Sequence, residues 1–123
     1  VRLYLVDAPE YFDRPGGPYS TPEGKDWPDN AARFALFGRA VCEIAMGRAG
    51  LDWNPDLVHC NDWQTGLVPA LLSCKRQRPA TLFTIHNLAY EDFGGAGITA
   101  GRAAGLIDDA EWATYMDTLE QAD

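Results

Sequence analysis

The sequence predicts an α/β domain built on a parallel sheet with helices over both faces. Apolar strand-like runs alternate with segments of helical period in the order strand, helix, strand, helix, strand, which implies βαβ units. The polar residues Asp7, Asn61-Asp62 and His86-Asn87 each fall just past the carboxyl end of a predicted strand, the edge where open α/β sheets bind ligands. Composition agrees: 123 residues, 46% hydrophobic and 23% charged, suit one modest core, while 12 Gly and 8 Pro commit much of the chain to turns.

Arg2 to Val6 reads as the first strand and ends in Asp7-Ala8-Pro9. From there to Trp27 no helical or alternating period appears, which predicts a long loop. Its stretch Asp13 to Tyr19 is either a functional, partner-facing segment or a plain surface loop. Pro28, at a first helical turn, opens a helix in which Phe34, Phe37, Val41 and Ile44 step by three and four and form the stripe to be buried. That helix stops near Gly47 or Gly50, with Arg48 at its negative end. Pro55 to Cys60 is the second strand, and Asn61 to Gly66 turns into a helix carrying Leu67, Val68, Leu71 and Leu72 on one side. Lys75, Arg76 and Arg78 suit its carboxyl end before Pro79. Thr81 to Ile85 is the third strand. After a Gly-rich loop at 94–101, a last helix is predicted near 108–121 with Trp112, Tyr115, Met116 and Leu119 as its apolar face.

A formal net charge of −8 excludes a phosphate-binding role toward nucleic acid and an anionic membrane surface, both of which need a basic footprint. The excess gathers in the acidic segment 101–123, where Arg102 alone opposes six carboxylates; a solvated helix is its simplest reading. Cys42, Cys60 and Cys74 are odd in number and lack metal-site spacing, so the expected setting is a reducing cytoplasm with no disulfide framework. No run of 18 apolar residues and no export signal occurs in the sequence. Because G-x-G-x-x-G and Walker patterns are absent and no metal cluster stands out, neither cofactor nor metal is expected. The chain opens without Met directly into a strand pattern, which suggests a part of something longer.

Asp62-Trp63 joins a carboxylate that accepts sugar hydroxyls to an indole that stacks on a ring, the chemistry of a carbohydrate site; a helix N-cap beside a core Trp fits the same residues. His86-Asn87 can exchange hydrogen bonds with sugar hydroxyls or simply satisfy local backbone. His59 and Cys60 are neighbours on a strand and point to opposite faces, so they do not form a nucleophile pair.

Four blocks carry a family resemblance. They are Tyr4 to Pro9 with Phe12 to Tyr19, Lys25 to Asn30 with Arg33 to Leu36, Pro55 to His59 with Asn61 to Gln64, and Phe83 to Tyr90. In order and spacing over roughly 1–90 they resemble bacterial glycogen synthase and plant starch synthase, glucan-elongating enzymes with two Rossmann-like domains. The resemblance implies a partial Rossmann-like sheet with flanking helices, spanning 1–123 as an incomplete N-terminal, acceptor-side domain of a two-domain GT-B type glycosyltransferase. It implies a parent that transfers glucose from ADP-glucose to the non-reducing end of an α-1,4-glucan with retention. Carried over by position, His86 and Asp62 are the implied catalytic residues, and Tyr19, Trp63 and Asn87 the implied substrate contacts. A retaining transfer develops oxocarbenium character, which hydrogen bonds and fixed dipoles stabilise. Two positions depart from common family usage: Ser20 follows Tyr19, and Glu91-Asp92 follow Tyr90. A stand-alone, non-catalytic glucan-binding or interaction module keeping Tyr19 and Trp63 is the alternative. In either case an isolated partial sheet exposes edges and apolar surface, so homodimerisation or poor solubility of the isolated chain is expected.

Overall fold

The computed structural model describes residues 1–86, 101–103 and 105–120. Asn87 and nearly all of the Gly-rich loop, with Glu91 and Asp92, lie outside the described residues. At the centre is one βαβ unit: strand β1 (Leu57–Asn61), a 3₁₀ turn (Trp63–Thr65), helix α3 (Leu67–Ser73) and strand β2 (Ala80–Thr84). The strands are parallel and in register from Leu57 opposite Ala80 to Asn61 opposite Thr84. Helix α1 (Pro9–Phe12) and helix α2 (Asn30–Ala45) precede this unit, and helix α4 (Asp109–Glu120) follows it.

Alternation along β1 sends Val58 and Cys60 toward the helices, where they meet the core formed by Ala35, Cys42, Leu67, Val68, Leu71 and Leu72. The opposite face stays open: Leu57 is 52% and Leu82 50% exposed. The expectation of helices over both faces is therefore corrected, because among the described residues the core lies on the Val58 and Cys60 side alone.

The predicted strand at 2–6 is a second correction. That segment joins no β-ladder among the described residues, and Leu3 and Leu5 are 80% and 82% exposed. Apolar composition favours extended backbone, but a strand needs a neighbour to take its N–H and C=O groups. Tyr4 instead stacks on Trp53, with ring centroids 5.8 Å apart. In the predicted loop, Pro9 starts the single turn of α1, and Ser20 bridges Asp26 in antiparallel fashion.

α2 begins two residues after Pro28, and its buried face is not the predicted one. Ala35, Gly38, Cys42 and Ala45 are buried, whereas Phe34, Phe37, Val41 and Ile44 are half-buried. Small side chains let α2 and α3 approach closely: a Cβ at Gly38 would lie 3.4 Å from the Leu67 Cβ and 3.8 Å from the Val68 Cγ2. The Cys42 thiol lies 3.7 Å from the Val68 carbonyl oxygen, to which it donates. Behind the last turn, Gly47 takes φ +68 and donates to the Ile44 carbonyl, while the Arg48 N–H donates to Glu43, a Schellman closure that needs a residue tolerant of positive φ.

α4 is docked by charge as much as by apolar contact. The Asp108 carboxylate accepts the Glu111 N–H at 2.8 Å and Glu111 accepts the Asp108 N–H at 3.1 Å, a reciprocal capping box. Glu111 Oε1 also receives Lys75 and Arg39, each at 2.6 Å, although Glu111 is only 3% exposed. Of the predicted apolar face, Trp112 packs against the core under Arg102 and Met116 is exposed. The side chains at 115 and 119 lie outside what the structure describes. Its first turn is anchored through Glu111 to Arg39 of α2 and to Lys75, two residues past the end of α3.

Two predictions follow from this packing. Replacing Gly38 by Ala should gain about 0.5–1 kcal/mol through helix propensity, and Gly38→Leu should lose about 1–3 kcal/mol by overpacking against α3, both read in urea melts. For Glu111, burial raises the carboxyl, but the Lys75 and Arg39 partners and the Asp108 N–H outweigh it and hold the group below its ordinary 4.5. A lowered folded value makes its stabilisation complete above about pH 4.5 and lost as pH falls through that lower value. Glu111→Gln should cost about 1–3 kcal/mol at neutral pH and flatten the acid limb of a stability-versus-pH curve.

Candidate functional site

At the carboxyl end of β1, where the chain must turn into the crossover, Asp62 adopts φ 59, ψ 177. Side chains rarely occupy this region, and the strain is of order 1–3 kcal/mol. Hydrogen bonds on every side hold it: the Asp62 N–H donates to Thr84 at 2.9 Å, its carbonyl accepts the Thr65 N–H at 3.0 Å, and Oδ1 accepts the His86 N–H at 2.7 Å. Asp62 thereby ties the end of β1 to the end of β2 and brings His86 beside it. The His86 ring is fixed in turn, with Nε2 3.1 Å from Asn61 Oδ1.

An open cleft of about 650 Å³ runs along this edge. Its polar lining comes from Arg33, Asn61, Asp62 and Gln64, and its apolar wall includes Leu5, Tyr19, Phe34 and Phe37. The Tyr19 hydroxyl accepts a hydrogen bond from Gln64 at 2.8 Å. Tyr19, Phe34 and Trp63 form an aromatic cluster, with centroids 5.3 Å apart for Tyr19–Trp63 and 4.9 Å for Phe34–Trp63. Four of the five implied site residues thus meet at one edge: Tyr19, Asp62, Trp63 and His86. Asn87 lies outside the described residues.

Tyr19 sits on a segment without regular structure, so its position has to be imposed from α2. Arg33, 3% exposed, donates from Nε to the Tyr11 carbonyl at 2.8 Å and from NH1 to Pro18 at 3.2 Å and to Asn30 Oδ1 at 2.6 Å. Asn30 completes the chain by donating to the Tyr19 carbonyl at 2.8 Å. Burial pushes the Arg33 guanidinium below its ordinary value. One turn earlier, Arg14 grips Asp29 with two bonds of 2.9 and 2.7 Å and lies over the Trp27 ring. The thiols stand apart from the cleft: burial raises Cys60 and pushes Cys42 up to about 12, and His59 bonds Thr84 on the opposite sheet face.

The family model for the starch synthase catalytic domain matches residues 1–122. The chain belongs to this family. It is 62% identical over 91 residues to a glycogen synthase of Thioalkalivibrio sulfidiphilus, covering 74% of this chain and 19% of that one. A glycogen synthase of Hydrogenovibrio crunogenus is 63% identical over 90 residues, with 73% and 18% covered, and one of Marinobacter nauticus 53% over 109 residues, with 88% and 22% covered. The chain spans about a fifth of the length of the curated relatives it matches.

Within this member of the starch synthase catalytic domain family, Arg33 and Gln64 are parts of the site to which sequence reasoning gave no role, while Asn61, expected at the ligand-binding edge, lies there against the His86 ring. Arg33 left one signal, a charged residue in the same helix turn as Phe34 and Phe37 with Asn30 three positions before it. Truncating it to Ala would leave two backbone carbonyls and the Asn30 amide oxygen without their donor. We expect Arg33→Ala to cost about 2–4 kcal/mol in chemical denaturation, and Arg33→Lys, which cannot span the same acceptors, to recover less than half of that.

Proposed function

We propose that this chain is the acceptor-side part of a two-domain, GT-B type glucan synthase whose parent moves glucose from ADP-glucose to the non-reducing end of an α-1,4-glucan with retention. The observation that carries the reading is the pairing of Asp62 with His86 at the carboxyl edge of a parallel βαβ unit, beside a cleft walled by Tyr19. The match to glycogen synthases supports the same chemistry.

In this reading His86 lines the reaction centre and contacts the donor glucose, with its ring oriented by Asn61. Asp62 orients His86 through the backbone and presents its carboxylate at the cleft, where a carboxylate accepts sugar hydroxyls. Tyr19 and Trp63 supply ring surface for the glucan, and Asn87 is a further donor and acceptor for sugar. The transfer itself asks for stabilisation of developing positive charge at the anomeric carbon and negative charge on the leaving diphosphate. Among the residues of this cleft the carboxylate of Asp62 serves the first; groups for the second belong to the companion domain. No helix of the described residues is long and apolar enough to cross a membrane, and a cytoplasmic setting belongs to the same proposal. Leu57 and Leu82 on the open sheet face give two copies of the isolated chain an apolar surface to share.

The test is glucosyl transfer from ADP-glucose to glycogen by the protein at full family length. Asp62→Asn keeps an acceptor for the His86 N–H and a residue type that tolerates positive φ, and His86→Ala removes the ring. Each should reduce turnover by about 10²-fold or more with a melting curve close to that of the parent. Transfer at the parental rate in both variants would reject the assigned roles.

A further inference from the structure

The loop before α2 uses only part of what the Arg33 guanidinium offers. It takes the Nε–H, through the Tyr11 carbonyl, and the N–H groups of Nη1, through the Pro18 carbonyl and Asn30 Oδ1. The N–H groups of Nη2 have no acceptor among the described residues. The buried side-chain polar atoms that lack a partner there are the Thr21 hydroxyl and the Trp27 indole N–H, so Nη2 is not sealed inside protein. Arg33 lines the main cleft together with Phe12 and Pro18, and Nη2 is the edge it turns to that space. The Phe12 and Phe34 rings lie over the guanidinium, 5.3 and 5.6 Å from Cζ, so an incoming group meets it along this edge.

The charge is as incompletely matched as the donors. Carbonyl and amide oxygens solvate a guanidinium without neutralising it, and Arg33 forms no ion pair among the described residues. Asp29 and Arg14 act on it in opposite senses, and Asp29 is itself gripped by Arg14. At 3% exposure the field of such a cation is poorly screened, whereas the exposed Arg76 and Arg78 stand in water, where a lone cation attracts anions weakly. A guanidinium edge with two free N–H groups matches the oxygens of a carboxylate or a phosphate. The Asp62 carboxylate in the same cleft chooses between them: it repels a bare anion but accepts hydroxyls, and a phosphate ester of a sugar offers an oxyanion to Arg33 and hydroxyls to Asp62.

We propose that the main cleft carries an oxyanion position at the Nη2 edge of Arg33, and that this position takes a phosphate group, as free orthophosphate or as the phosphate monoester of a hexose. The proposal does not rest on the glucan reading of the cleft, because it uses the charge of Arg33, which a neutral glucan does not require. The loop contacts and the oxyanion position are served by different nitrogens of one side chain, so the group that shapes the cleft also recognises its anionic ligand.

The test is NMR titration of the 123-residue chain, at constant ionic strength, with orthophosphate, with glucose 1-phosphate and with glucose as the neutral control. The Arg33 Nε–H, buried and bonded to Tyr11, supplies the direct signal, and the backbone amides of Arg76 and Arg78 report the attraction of anions to exposed cations. The expected result is a saturable shift of the Arg33 signal with both phosphates, half complete at about a tenth of the concentration that moves Arg76 and Arg78, and no shift with glucose. Binding of glucose 1-phosphate about threefold tighter than orthophosphate assigns the position to a sugar phosphate, and equal binding assigns it to free phosphate; either supports it. Asp62→Asn removes a negative charge from the same cleft and leaves Arg33 in place, so it should tighten phosphate binding by about two- to fivefold. An Arg33 signal that stays still, moves only in step with Arg76 and Arg78, or follows glucose as closely as phosphate would overturn the proposal, and so would phosphate binding unchanged in Asp62→Asn.

Discussion

The Arg33 guanidinium is buried against the loop that precedes its own helix, and the cleft takes its shape from that contact. It forms no ion pair among the described residues; its charge is solvated by the Tyr11 and Pro18 carbonyls and by the Asn30 amide, and it lies over the faces of Phe12 and Phe34. Carbonyl dipoles replace water here, and they can do so only if the loop adopts one path around the guanidinium. A segment with no ladder and one turn of helix thereby acquires a defined course, and Tyr19 arrives beside Trp63 at a fixed distance. Arg14 and Asn30 reinforce the same attachment from either side.

A second constraint operates at the strand ends. In most parallel sheets the carboxyl edge is a set of loops, each free to adopt its own conformation. In this chain Asp62 crosses from β1 to β2 through Thr84 and His86, accepting an unfavourable backbone geometry to do so. Strain at such a position persists only where the surrounding bonds over-determine it, and the two bonds to the β2 end do that. The consequence is that Asp62, Asn61 and His86 are joined by hydrogen bonds into one connected group at the strand ends rather than standing as three separate side chains.

Much of this was legible in the sequence, and the reasons differ by element. The βαβ unit could be read because Leu67, Val68, Leu71 and Leu72 report a helix by period while Leu57 to Cys60 and Thr81 to Phe83 report strands by run length; both signals are local. The buried face of α2 could not, because the period of Phe34, Phe37, Val41 and Ile44 identifies a helix without saying which neighbour it meets. Close approach to α3 selected the small residues instead. The strand at 2–6 failed for a related reason: pairing is a property of two segments, and its composition speaks for one. In the site, the juxtaposition of Asp62 and His86 followed from topology, since both lie past the ends of adjacent strands. Arg33 was opaque, since its partners are backbone carbonyls whose positions no residue type announces.

The small-residue stripe of α2 also has a kinetic meaning. Cys42 belongs to that stripe, and burial has raised its thiol far enough that almost none is ionised near neutral pH. A thiol in this condition reacts with an alkylating reagent only in molecules where α2 has lifted from α3, whereas the partly exposed Cys74 reacts from the native state. The chain therefore carries its own clock for the opening of its core, one in which the modification rate at position 42, set against that at 74, counts how often the two helices part.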